Sequence, residues 1–129
     1  MRFIDPGQAV ASGTLVLAND ADVLAHAAAV QAAPAVALEF PKWTDGRAYS
    51  QAVLLRTRLG FTGELRATGE VLVDMLPLLA RCGFDAVALC AGQDEAAAER
   101  ALGFFAGHYQ GDARRATAAA GPRFAQIDR

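Results

Sequence analysis

Asp45-Gly46-Arg47, followed by Tyr49, Ser50 and Arg56, is the group of residues whose types and spacing best suit chemistry on an anion. It stands where an apolar run, residues 36–40, hands over to residues of helical period, Ala48, Ala52, Leu55 and Leu59. Backbone N–H groups at such a helix start converge on negative charge, and an arginine adds a planar, bidentate donor. Arg66, in the next apolar run, is expected on the same rim, so that Arg47, Arg66, Tyr49, Ser50 and Arg56 together would hold a small oxyanion or carboxylate. A plainer reading competes with this one. Asp45 is a good N-cap, its carboxylate takes up the N–H groups an anion would need, and Gly46 serves the turn. Arg47 would then pair with Asp45, and Arg66 with Glu39 or Glu64.

Other chemistries find less support. His26 and His108 lie too far apart in sequence for a helical ligand pair, and Cys82 and Cys90 lack a zinc spacing, so no metal site is expected. Both cysteines read as small buried hydrophobes before they read as redox groups. The turn after the first strand, Leu17-Ala18-Asn19-Asp20-Ala21, contains no glycine and excludes the usual dinucleotide fingerprint. Gly60-Phe61-Thr62-Gly63 is not followed by the Gly-Lys-Ser/Thr of a phosphate-binding loop, and no GxSxG elbow occurs. No cofactor is therefore expected.

A chain of 129 residues, 53% hydrophobic, suits one compact domain. Twelve basic against fourteen acidic side chains leave a net charge of −2, without the cationic excess that binding to nucleic acid requires. The longest charge-free stretch, residues 23–38, falls short of the roughly 20 apolar residues that cross a bilayer. Asp5 and Pro6 interrupt the start before an apolar signal-peptide core could form. A cytoplasmic protein is expected, and the two cysteines suit a reducing compartment.

These residues must be positioned by an α/β fold. Apolar runs alternate with helix-period segments, predicting four successive βα units and a mainly parallel sheet, half-barrel-like or open. The strands are expected at residues 14–18, 36–40, 64–68 and 85–90. Asn19 or Asp20 should cap the first helix, Gly60 and Gly83 should end the second and third, and Pro77 should kink or split the third. Residues 1–110 form the single domain in this reading, and 111–129 a mobile or partner-ordered tail. Sequential strand order would put every helix on one face and leave the other bare. Glu64, Arg66 and Thr68 alternate with Leu65 and Ala67, so that bare face is polar on the third strand. A half-barrel interior, a homodimer interface and a ligand floor at the strand ends remain open for it.

The run FPKWTDGRAYSQAVLLRTRLGFTGELRATGEVLVD, with RCGFDA and HYQ after it, closely resembles a bacterial family of small uncharacterised proteins associated with assimilatory sulfite reduction and described as probable oxidoreductases. The resemblance covers roughly residues 38–110 and falls on Asp45, Gly46, Arg47, Tyr49, Ser50, Arg56, Glu64, Arg66, Asp74, Arg81 and Cys82. Trp43, Pro77 and Val87 depart from the family pattern. The resemblance implies a role in sulfur assimilation and supplies no catalytic residue. Three functional expectations follow. One is an accessory protein that meets sulfite-reduction enzymes and holds a small oxyanion at the strand C-terminal rim. The second is an oxidoreductase acting in sulfite reduction, and the third a structural homodimer module without ligand.

Overall fold

The computed structural model describes residues 1–105, the last two by backbone alone. Its five strands are β1 (Arg2–Phe3), β2 (Thr14–Leu17), β3 (Ala35–Phe40), β4 (Glu64–Gly69) and β5 (Ala86–Val87). They pair in parallel in the order β1-β5-β4-β3-β2, an open sheet. The helices are α1 (Pro6–Ala9), α2 (Ala27–Ala32), α3 (Arg47–Thr57), α4 (Leu76–Cys82) and α5 (Glu95–Phe105). Single 3-10 turns, Val23–His26 and Val73–Met75, lead into α2 and α4. Strands β2 to β5 and their helices are the four predicted βα units; β1 and α1 precede them and have no counterpart in the expected order. The expected tail, 111–129, and His108 lie outside the described residues.

One face of the sheet carries the main core. Leu17, Val36, Leu38, Phe40, Leu65, Ala67 and Val87 alternate along the strands and pack with Val30, Ala48, Ala52, Leu55, Leu76, Leu79 and Ala98 of the helices. The opposite face is the polar one, and the register aligns it in rows. Val16, Ala37, Arg66, Ala86 and Arg2 lie side by side across all five strands, and Thr14, Ala35 and Glu64 form the row nearer the strand starts. This face is not left bare. The chain crosses it between the β1 edge and the β2 edge, and Ile4 and Ala9 build a small separate core there with Ala86 and Ala88.

Several expected boundaries shift for local reasons. Asp22, rather than Asn19 or Asp20, caps the first helical turn, its Oδ1 accepting the Leu24 N–H at 3.1 Å. Gly69 ends β4 instead of opening a helix, and Pro77 sits in the first turn of α4, where its missing N–H needs no partner. The fourth predicted strand is cut to Ala86–Val87, because beyond Ala88 the chain leaves β4 and the Cys90 N–H bonds to Val71. Gly83 ends α4 in the left-handed region at φ 106°, as a helix stop requires, and a Cβ there would press on Arg56. Among the described residues no helix is long and apolar enough to cross a membrane.

Candidate functional site

The β3–α3 turn assembles the first part of the site. Asp45 N–H closes a turn on Lys42 O at 3.0 Å, and Trp43 N–H donates to Glu70 Oε1 at 2.8 Å. Trp43 itself points outward, 55% exposed. Gly46, not Asp45, is the N-cap of α3. Asp45, one residue earlier, nevertheless serves the helix start, since its Oδ1 accepts the Arg47 N–H at 3.1 Å. The same carboxylate takes Arg47 Nε at 3.1 Å, Arg47 Nη2 at 2.7 Å and Asn19 Nδ2 at 2.7 Å. The Arg47 side chain, then its backbone N–H, hold the Asp45 carboxyl well below the usual carboxylate range; partial burial opposes this and Asn19 assists it. The negative charge at this helix start is thus the protein's own, and Arg47 is its ion-pair partner with a side chain still 60% exposed.

Arg66 belongs to a different place. It lies within β4, in register with Ala37 and Ala86, on the face turned away from the main core. Its Nε donates to Glu64 Oε1 at 2.6 Å, and its Nη1 to Thr14 Oγ1 at 2.7 Å and Gln8 O at 3.1 Å. These bonds draw it toward the strand starts, whereas Arg47 stands at the strand ends. Glu64 is gripped from the other side by Arg2, whose Nη2 reaches both carboxylate oxygens at 2.7 Å. Burial pushes the Glu64 carboxyl up, but the hydrogen bonds from Arg2 and Arg66 outweigh it and hold the group below its ordinary value.

Arg56 is placed differently again. Nine residues along α3, about 13 Å of helix rise from Arg47, it is 1% exposed and lies inside the protein. Nε and Nη2 donate to Gly83 O, Nη1 to Phe61 O and Gly63 O, and Nη2 also to Asp85 Oδ2 at 2.6 Å. All five guanidinium N–H groups are engaged, with the Phe61 ring 5.6 Å from its carbon. Arg56 therefore ties the end of α3 to the 61–63 loop and the α4 C-terminus. It has no donor left for a ligand.

Tyr49 and Ser50 stay together. With Val53, Leu54 and Cys82 they line an open, mainly apolar groove of about 430 Å³. The Tyr49 ring packs edge-on against Phe40 at 5.1 Å, and burial, then Cys82, push its hydroxyl up. Beneath the same stretch of α3, Gln51 is buried and donates Nε2 to Ala18 O and Ala21 O, while its Oε1 has no protein partner among the described residues.

The sequence reading missed Arg2, Gln8, Thr14, Asn19 and Gln51 as partners. Each pairs across 26 or more positions of chain, and no local pattern signals such pairs. Among the described residues no group of three or more His, Cys, Asp or Glu is placed to hold a metal ion.

A family model described as a bacterial protein of unknown function, DUF934, matches residues 14–120. The match takes in β2 to α5 and begins after β1 and α1. No curated protein and no solved structure matches the chain.

Proposed function

The chain belongs to the DUF934 family, and from that premise we propose that it is an accessory protein of assimilatory sulfite reduction, acting in the cytoplasm through its surface on the enzymes of that process. The sulfite assignment rests on the family resemblance carried by the DGR, YS, GELRA and RCGFDA run. One observation favours an accessory role: three arginines of that run end on partners within the protein, Arg47 on Asp45, Arg56 on Asp85 and carbonyls, Arg66 on Glu64. Of these, the buried Arg56 ties parts of the fold together. The groove of Tyr49, Ser50, Val53, Leu54 and Cys82 remains open, and it is the surface this reading assigns to the partner enzyme. The test is copurification with a sulfite-reducing enzyme and its loss in Ser50→Arg, which places a long cation in the groove at an exposed position. Failure to associate, with no growth defect on sulfate after deletion, overturns the proposal.

A second reading keeps a small oxyanion at Arg47, supported by the exposure of that side chain at the α3 start. The anion would have to compete with Asp45 for the same donors, so weak binding is expected. A thermal shift with millimolar sulfite or sulfate, absent in Arg47→Ala, is the result this reading requires. No shift in the native chain removes it.

A further inference from the structure

Residues 1–13 differ from the rest of the fold in how they are held. β1 has two residues, and its backbone bonds into β5 are Arg2 N–H to Asp85 O at 2.8 Å and Ile4 N–H to Val87 O at 2.9 Å. Its side-chain anchors are the Arg2–Glu64 ion pair, with Arg2 55% exposed, and the bond from Arg66 Nη1 to Gln8 O at 3.1 Å. Ile4 and Ala9 pack in a small core of their own with Ala86 and Ala88, while Phe3, partly buried, packs against the main core. α1 is a single turn, and residues 10–13 after it are all exposed, ending at Gly13 with φ 90°. The segment also precedes the family-matched region. Few bonds, an exposed ion pair and a separate small core are the marks of a unit that opens without global unfolding.

Its release would remove the Arg2 and Ile4 N–H donors from the β5 edge and leave Glu64 beside it without its second arginine. The groups that satisfy this edge are an extended strand with an arginine and, two residues on, a branched aliphatic side chain. A second copy of the chain carries that strand. We propose that residues 1–13 are an exchangeable arm, and that the arm of a second copy seats on the β5 edge to give a strand-exchanged dimer. Both arms make the same contacts in the dimer as in the monomer, so exchange costs little beyond association and a change of path at residues 10–13. The Arg2–Glu64 pair fixes the register, and salt that screens it speeds release.

A charge exchange tests the arm directly. Arg2→Glu places two acids together in the monomer, and Glu64→Arg places an arginine against Arg2 and Arg66. In a strand-exchanged pair of the two variants, one arm restores the native Arg2–Glu64 pair and the other meets its reversed counterpart. Each variant alone should therefore remain a monomer by light scattering, while an equimolar mixture doubles in mass. A mixture that stays monomeric overturns the proposal, as does equal dimerisation of either variant alone, which would place the interface elsewhere. Hydrogen exchange on the native chain provides a check that needs no variant. The Ile4 amide should exchange at least about tenfold faster than the amides of β3, through local opening. Equal protection of the two overturns the separately opening arm.

Discussion

The two ends of α3 put the same residue type to opposite uses. At the C-terminal end Arg56 is buried, with every donor bonded and the Asp85 carboxylate beside it. At the N-terminal end Arg47 is largely exposed and shares one carboxylate, Asp45, with the helix start and Asn19. A desolvated guanidinium is tolerable only when each N–H finds an acceptor, so Arg56 is bound tightly to its surroundings. A solvated one gains little from its partner and stays exchangeable. The helix is thus anchored at one end and open to contact at the other, the end whose next turn carries Tyr49 and Ser50.

This contrast sets the order of expected effects. Arg56→Ala should be the most damaging change, costing about 3–5 kcal/mol, because it removes the guanidinium donors shared by Asp85 and three carbonyls. Chemical denaturation measures it, and a loss below about 1 kcal/mol would mean that Arg56 behaves like a surface residue. Gly83→Ala should follow, at about 1–3 kcal/mol, since an L side chain at φ 106° is strained and its Cβ would collide with the Arg56 stem. If the two changes together cost less than the sum of the separate costs, the collision with Arg56 is their link, the strain at φ 106° remaining in both backgrounds.

Glu64 occupies the middle ground, 25% exposed between two arginines. Glu64→Gln should cost up to about 1 kcal/mol. The sign of its pH dependence follows from the depressed carboxyl. The contribution is present above the unfolded-state value, near 4.5, and disappears as pH falls through the lower folded-state value. Between pH 7 and pH 3 the native chain should therefore lose stability more steeply than Glu64→Gln. Parallel curves would show that the pair contributes nothing.

The smallest effect is expected at the open end of the helix. Asp45→Asn should cost less at neutral pH than Glu64→Gln because the Asp45–Arg47 pair is largely solvated, and the native carboxylate's small contribution should be lost progressively as pH falls from 3.8, its ordinary value, toward the lower folded-state value. A large loss at pH 7 would make the Asp45–Arg47 pair structural and erase the difference between the two ends of α3.

Much of the scaffold was legible because periodicity and turn residues are local signals. The four βα units, the stop at Gly83 and the polar alternation of Glu64, Arg66 and Thr68 could all be read from neighbouring residues. The pairing of Arg66 with Glu64 was also among the readings, since a partly buried charge needs a partner two residues away on the same strand face. β1 was not legible, because two residues carry no period. Nor was the burial of Arg56, which follows Leu55 in the helix and reveals its role only through the carbonyls of residues 61, 63 and 83. The expectation of Arg47 and Arg66 on one rim failed to anticipate the sheet's two faces, which direct one to the α3 start and the other to Thr14 and Gln8.

A binding titration of this chain against a purified sulfite-reducing enzyme tests the accessory role most directly. The account predicts a saturable complex, weakened at least about tenfold by Ser50→Arg in the groove and unchanged by Arg47→Ala. No complex, or one that survives Ser50→Arg and is lost in Arg47→Ala, would contradict it.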